Sequence, residues 1–418
     1  LSHMVSRAIE GGFLDGFDII GRAGSSLVVF HLLFADDTLV FCGAEDSQLK
    51  YLRCVLVCFE LASGLNINLL KSDLIPVGEV NNLESLAGSL GCKVSALPVV
   101  YLGLPLGAPS KSSSIWDSVI DRFQQRLSGW KGKYLSKGGR LTLIKSTFSN
   151  LPTYFFSPFP IPCSVAANLE KIQRDFLWRG TEEGRKIRLV GWEKIKALFA
   201  EGGLGIRDIR SCNKALLGKC LWRYGREDNM LWRRLIDVKY GSLEGGWTSR
   251  EVEGAYGCSL WKSIRKGLGD FERCCRFEVG DGRRVNFWFD EWCGSSLLKD
   301  CFPVVFGVAV DRMARVGDYG YWDRGKMIWD PRIRRDMFDW EMEEVVRLLK
   351  LLNNFKIVND SRDAMRWKID KSGNFSVKSF YNFVAARGNS LFNWKMIWKS
   401  GVPIKVAFLA WRLLGMQF

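Results

Sequence analysis

The stretch His31-Leu32-Leu33-Phe34-Ala35-Asp36-Asp37-Thr38-Leu39-Val40-Phe41 carries the sharpest signal in the chain. Two short, largely apolar runs flank Ala35-Asp36-Asp37, a pattern that predicts a tight β-hairpin with an acidic tip. Adjacent carboxylates between apolar strands repel each other unless a cation neutralises them. Mg2+ prefers carboxylate and phosphate oxygens and shares its shell with substrate phosphates. In phosphoryl transfer two such ions, about 3.5–4 Å apart, activate the attacking oxygen and stabilise the leaving one. Taken alone, an Asp-Asp turn is more often plain solvated acid, so its surroundings decide.

Beyond the hairpin, Leu49, Leu52, Leu56 and Phe59 predict a helix over Ser47–Leu61 with Ser47 as N-cap, stopped by Gly64. Leu65–Leu69 alternates like a strand and leads into Ser72–Pro76, Leu83–Leu90 reads as a short helix closed by Gly91, and Val99–Leu106 looks extended. From Ser114 the pattern turns helical: Ile115, Val119, Phe123 and Leu127 are four apart, and Leu141, Leu143, Ile144 and Phe148 continue until Pro152. Leu169, Ile172, Phe176 and Leu177 share a face, and further amphipathic turns run from Asn213 to Ile236. Residues 277–293 look β-like, because Val279, Val285, Phe287 and Phe289 alternate around turns at Gly280-Asp281-Gly282. The expected fold class is α+β.

The 418 residues carry a net charge of +15, which favours a polyanionic partner. The excess is local. Residues 1–121 hold 7 Lys and Arg against 13 Asp and Glu, whereas residues 122–235 hold 23 against 9. All 17 tryptophans lie between Trp116 and Trp411, so charge and aromaticity shift together near residue 115 and predict a boundary there. No apolar run approaches the ~20 residues of a membrane helix, and the start lacks a secretory signal pattern. A membrane partner is therefore not expected. Twelve Cys are too sparse for a disulfide scaffold, and Cys54 and Cys58, one helical turn apart, read as packed thiols. A reducing, intracellular compartment fits, nuclear or cytoplasmic. With His3 and His31 as the only histidines, a His-based catalytic scheme is weakened.

The order of further motifs extends the hairpin reading. Leu33-Phe34-Ala35-Asp36-Asp37-Thr38 is followed by Gly64-Leu65-Asn66-Ile67-Asn68 with Lys71-Ser72, and then by Tyr101-Leu102-Gly103-Leu104-Pro105-Leu106-Gly107. Gly138–Ser146, Ile172–Trp178 and Asn286-Phe287-Trp288-Phe289-Asp290-Glu291-Trp292 come after them. This series resembles the reverse transcriptases of LINE-type (non-LTR) retrotransposons of the plant lineage, over essentially the whole chain. The resemblance implies a partial polymerase palm (β-hairpin plus helices) over 1–110 and a mostly helical, basic thumb-like region over 111–235. A Trp-rich connecting region over 236–365 and the start of a zinc-binding-like domain over 366–418 complete the expected order.

Carried over residue by residue, the resemblance makes Asp36 the main ligand of catalytic Mg2+ and Asp37 a second ligand or electrostatic support. Lys71 falls where a cation would stabilise or protonate departing pyrophosphate. Tyr101, Leu102 and Gly103 match the segment that grips the primer end, with Gly103 suited to close backbone approach. Arg122, Arg126, Lys131, Lys133, Lys137, Arg140 and Lys145 are candidates for phosphate contacts, and Trp130 and Tyr134 for base stacking. The implied partners are an RNA template and DNA primer, or duplex nucleic acid. Phe375–Tyr381, Trp394, Trp398, Pro403 and Phe408–Trp411 resemble the start of the family's zinc-binding module, but Cys and His ligands do not follow, so no zinc is expected. The resemblance also puts the fingers and an earlier palm Asp ahead of Leu1. An N-terminal polymerase segment is then missing, and the chain alone is expected to be inactive. The alternatives are a non-catalytic nucleic-acid-binding module and a protein-interaction scaffold that uses the Trp-rich half.

Overall fold

The computed structural model describes residues 1–21, 24–109, 112–128, 135–149, 153–178, 190–251, 259–323, 326–335, 338–355, 361–386, 394–399 and 401–415. They fall into two units, Leu1–Pro109 with Asn229–Gly241, and Ser110–Asp228 with Ser242–Phe418.

In the first unit the chain runs α1 (Ser2–Glu10), β1 (Phe17–Ile20), β2 (Ser26–Val29), β3 (His31–Phe34), β4 (Asp37–Val40) and α2 (Asp46–Ser63). It continues through β5 (Asp73–Leu74), α3 (Leu83–Leu90), β6 (Lys93–Val94), β7 (Val99–Tyr101) and β8 (Leu104–Leu106). The sheets described are all two-stranded: β1–β2, β3–β4 and β7–β8 are antiparallel, and β5–β6 is parallel. Val5 and Ala8 of α1, Leu49 and Leu52 of α2, and Leu86 and Leu90 of α3 form the core with Leu14. Buried Gln48 ties loops to α2. Its Oε1 accepts from the backbone N–H of Asp15 (3.1 Å) and Gly43 (2.8 Å), and its Nε2 donates to the Asp15 carboxylate. The helix Leu231–Tyr240 packs against β1 and β2. Its approach requires glycine at Gly21, where a Cβ would lie 2.2 Å from the Val238 carbonyl oxygen.

Several expectations change at this level. Helix α2 begins ahead of Ser47, with Glu45 at the N-cap, and ends where Gly64 turns left-handed (φ 71°) and donates to the Glu60 carbonyl. Cys54 and Cys58 are exposed rather than packed, because they lie on the side of α2 opposite Leu49 and Leu52. Residues 65–69 form no strand. The Glu60 carboxylate and the Asn68 side chain accept the backbone N–H groups of Ile67 and Lys71 that a ladder would need, and Leu69–Lys71 closes into a single 3₁₀ turn.

The second unit opens with α4 (Asp117–Ser128), α5 (Lys137–Ser149), α6 (Thr153–Phe156), α7 (Cys163–Trp178), α8 (Trp192–Lys196) and α9 (Ile209–Arg226). After α10, the helix 231–240 of the first unit, come α11 (Ser259–Arg265), α12 (Leu268–Glu272), β9 (Cys275–Glu278), α13 (Leu298–Cys301) and α14 (Pro303–Val308). The hairpin β10 (Gly320–Asp323) and β11 (Lys326–Trp329), then α15 (Asp339–Asn353), β12 (Ala364–Trp367), α16 (Val377–Ala385), α17 (Trp394–Trp398) and α18 (Ile404–Gly415) complete it. One core joins Leu141 and Ile144 of α5, Leu177 of α7 and Ile195 of α8 to Phe408 and Trp411 of α18. Trp411 is fully buried, and its Nε1 donates to the Gly202 carbonyl at 2.6 Å. Nearby, the buried Lys196 ammonium meets Glu170, Glu193 and Asp208 at 2.8–3.0 Å. Burial alone would lower its pKa, but the three carboxylates outweigh burial and raise it.

A second core is aromatic. Phe287 stacks on Tyr319 (3.9 Å between centroids, 12° between planes), and the Trp288 indole N–H donates to the Tyr319 hydroxyl at 2.7 Å. The β-like alternation of 277–293 belongs to a strand only over Cys275–Glu278, where β9 pairs antiparallel with β12. Beyond it the backbone is held partly by residues 314–317, where the Phe287 N–H donates to the Ala314 carbonyl and the Val316 and Gly317 N–H groups donate to the Val285 and Gly282 carbonyls (each 3.0 Å), and partly by side chains. The Asp363 carboxylate accepts four N–H groups: Oδ1 from Gly280 (2.7 Å) and Gly282 (2.9 Å), Oδ2 from Arg284 (2.7 Å) and Val285 (3.1 Å). The Asn286 side chain accepts from Trp288 and Phe289, while the Asp290 carboxylate accepts from the Asn286 N–H.

Asp363→Ala is expected to cost about 3–5 kcal/mol, because it orphans buried donors, with Asp363→Asn intermediate since one oxygen remains; urea unfolding measures both. Burial pushes the Asp290 carboxyl up to about 6, against the opposing Asn286 N–H. Its folded pKa exceeds the unfolded value of 3.8, so the folded state keeps a proton that the unfolded state releases. That contribution is present below about pH 4 and lost as pH rises through about 6. Asp290→Asn should therefore gain stability relative to wild type between pH 4.5 and pH 7, read from denaturation midpoints at both.

Candidate metal-binding hairpin and nucleic-acid interface

The apolar runs on either side of Ala35-Asp36-Asp37 pair as β3 and β4, with Phe34 opposite Asp37 and Leu33 opposite Thr38. The turn is therefore two residues long, Ala35-Asp36, and Asp37 is the first residue of β4. Ala35 sits in the left-handed region (φ 52°), the first central position of the turn, where glycine is favoured. Both carboxylates are exposed, and neither side chain has a hydrogen bond or ion pair among the described residues. Leu32, Leu33 and Phe34 of the same ribbon are exposed as well, Phe34 to 62%.

Two hard carboxylates, adjacent and free of a competing cation, fit Mg2+. Among the described residues, no group of three or more His, Cys, Asp or Glu side chains is placed to hold a metal ion. The hairpin thus offers two protein ligands and leaves most of an octahedral shell to other oxygens.

Lys71 ends the 3₁₀ turn and is exposed. Tyr101 closes β7, and Leu102-Gly103 forms the turn into β8, with both residues left-handed (φ 49° and 74°). Gly103 thus serves a tight turn. Leu102 is a branched side chain held in strain, a condition that clusters at functional loops. Asp36, Asp37, Lys71 and Tyr101–Gly103 all lie in the first unit, whereas the basic candidates lie in the second.

Those basic residues divide by burial. Arg122 and Arg126 are exposed on α4, whose opposite face buries Val119, Phe123 and Leu127. Lys137 is exposed, with its ammonium 5.0 Å from the Trp178 ring centre. Arg140 does not face solvent as phosphate contact requires. It is buried, its Nη1 donates to the Phe176 carbonyl at 3.4 Å, and burial lowers its pKa. Lys145 is half-buried, its ammonium 4.3 Å from the Phe199 ring centre and 5.9 Å from that of Trp398, and burial lowers its pKa to about 8. Trp130, Lys131, Lys133 and Tyr134 lie outside the described residues. Charge alone could not separate these cases. The period of buried neighbours could, because Arg140 and Lys145 flank Leu141 and Ile144 on α5.

A family model described as zinc-binding in reverse transcriptase matches residues 375–418. An Arabidopsis thaliana protein named as a ribonuclease H protein is 34% identical over 313 residues, covering 72% of this chain and 48% of the relative. An uncharacterized mitochondrial protein of the same plant is 32% identical over 146 residues, 34% of this chain and 92% of that protein. The chain belongs to the retrotransposon-derived, reverse-transcriptase-like protein family. It spans about half the length (48%) of the first of these relatives.

The match at 375–418 corrects the expectation that zinc has no part, since these residues belong to a zinc-binding family module. The matched residues contain no Cys, His, Asp or Glu, so their own donor set does not fit the ion. Their visible contribution is packing. Phe380 of α16 lies against Gly218 of α9, where a Cβ would meet its ring at 2.5 Å, and the Tyr381 hydroxyl accepts from the Asp208 N–H.

Ala35→Gly should relieve the left-handed turn and stabilise the β3–β4 hairpin by roughly 0.5–1 kcal/mol. Slower hydrogen exchange of the Leu33 and Thr38 amides is the expected readout, and Ala35→Val should speed it.

Proposed function

We propose that this chain is a segment of the RNA-directed DNA polymerase of a LINE-type retrotransposon of the plant lineage. On this reading the first unit carries the metal-binding hairpin of a palm, and residues 111–235 are mostly the helical thumb. The observation that carries the proposal is the pair of exposed, unneutralised carboxylates at the β3–β4 turn, in a chain whose residues 375–418 match a zinc-binding family of reverse transcriptases.

Asp36 and Asp37 would hold Mg2+, which when bound supplies charge stabilisation for nucleotidyl transfer. Lys71 would meet the departing pyrophosphate. The strained Leu102-Gly103 turn would steady the primer end, with Tyr101 beside it. Arg122 and Arg126, projecting from a face of α4 whose other side is packed, would contact backbone phosphates and give affinity without reading sequence.

One observation favours a non-catalytic module for the chain by itself. No third carboxylate joins Asp36 and Asp37 among the described residues, and a two-metal centre needs further ligands. Exposed Leu32, Leu33 and Phe34 are consistent with a hairpin that another polymerase segment covers in the complete enzyme.

Two measurements test the proposal. Duplex binding at low salt is expected, and Arg122→Gln with Arg126→Gln should reduce the slope of log K against log salt by about 2. No duplex affinity at low salt would remove the thumb reading. Primer extension in Mg2+ by the 418 residues alone is expected to be absent. Extension abolished by Asp36→Ala would make the chain a self-sufficient polymerase instead.

A further inference from the structure

We propose that Cys54 and Cys58 form a two-thiolate site for Cu(I) on the outward face of α2, made of residues that the polymerase reading does not use.

Both thiols are exposed. They lie one helical turn apart within α2, and side chains at i and i+4 of a helix share a face. The two also line one groove of about 480 Å³, together with Lys50, Arg53 and Val57 of α2 and Ser89 of α3. The helix beneath them is anchored. Leu49 and Leu52 are buried in the core on its other side, and the Arg53 guanidinium donates to the Ser89 carbonyl at 3.1 Å. The Asp46 carboxylate pairs with Lys50 and accepts from the Ser89 hydroxyl, which ties α2 to α3 a second time. Two donors held on a rigid element need little reordering to share a ligand.

Helix geometry decides between the two fates open to a thiol pair. A disulfide needs its Cβ atoms about 3.5–4.5 Å apart. On a helix the Cβ atoms of i and i+4 stand about 5–6 Å apart. Closing a disulfide would therefore distort α2, whereas an ion between the two sulfurs spans the gap with the backbone left in place.

The choice of ion follows from donor softness, donor number and charge. Thiolates are soft and select Cu(I), zinc or iron–sulfur clusters. Structural zinc and the common clusters take four protein ligands, and among the described residues no third His, Cys, Asp or Glu joins this pair. Cu(I) is satisfied by two thiolates in a line. Each thiol releases one proton on binding, so Cu(I) with two thiolates carries one net negative charge. No carboxylate is among the residues lining the groove, and Arg53, whose partner is a neutral carbonyl, keeps its charge there. The groove thus suits an anionic complex.

The test uses the full chain, reduced, with Cu(I) supplied as its bicinchoninate complex, whose colour reports the copper withdrawn. One equivalent should pass to the wild-type chain. Its affinity should fall about 100-fold or more in Cys54→Ser and in Cys58→Ser, because each loses the advantage of a second tethered ligand. Cys163→Ser and Cys301→Ser remove other exposed thiols and should leave it unchanged. Val57→Cys added to Cys58→Ser should restore it, since i and i+3 also share a face. X-ray absorption at the copper edge of the loaded wild-type chain should show two sulfur neighbours, a readout independent of how the variants fold. A tight equivalent that survives in both folded Cys54→Ser and Cys58→Ser overturns the site. So does its loss in Cys163→Ser or Cys301→Ser, a shell of three or four sulfurs, or no transfer to the wild-type chain.

Discussion

The Asp363 carboxylate is the constraint on which the second unit most depends. Four backbone N–H groups of one turn converge on its two oxygens. A carboxylate so placed replaces a strand ladder, because it satisfies the donors of Gly280, Gly282, Arg284 and Val285 at a point where no neighbouring strand reaches them. The turn then delivers Val285, Phe287 and Trp288 into the core without leaving buried polar groups unpaired. Asn286 repeats the device one step on, accepting from Trp288 and Phe289 and donating to the Met313 carbonyl. The Trp-rich segment is therefore a loop held around an aromatic core by side-chain acceptors together with backbone bonds to residues 314–317.

The first unit is built on a different economy of contacts. Its sheets are two-stranded and its core lies among α1, α2 and α3, so the acidic hairpin is presented rather than enclosed. A two-residue turn with a left-handed alanine keeps Asp36 and Asp37 at the ribbon's end. Isolated two-stranded ribbons are marginal in water, and Leu32, Leu33 and Phe34 leave this one with exposed apolar surface whose burial would add support. In the proposed polymerase reading that support belongs to the same assembly that would supply further metal ligands.

Basic charge proves a poor guide to contact residue by residue. On α4 the arginines stand outside a packed apolar stripe, whereas on α5 Arg140 and Lys145 turn towards carbonyl and aromatic partners. The family's zinc-binding segment likewise contributes aromatic packing here, with Phe380, Tyr381 and Trp411 fastening it to α9 and to the loop at Gly202.

Local spacing alone determined much of this protein. The hairpin at Asp36-Asp37, the helices ended by Gly64 and Gly91, and the basic helical stretch after Ser114 follow from period and from turn chemistry, which act within a few residues. The ordered motifs were also enough to point to the reverse-transcriptase-like family. Tertiary structure decided the rest. Alternation at 277–293 predicts a strand, yet beyond Glu278 its partners are the Asp363 carboxylate, some 80 residues away, the Asn286 side chain and single backbone bonds to residues 314–317. Cys54 and Cys58 shared an apolar stretch with Leu52 and Leu56, yet only packing against α1 and α3 fixed which face of α2 is covered. Periodicity reports what a segment prefers locally, whereas burial and hydrogen-bond partners depend on residues that only folding brings together.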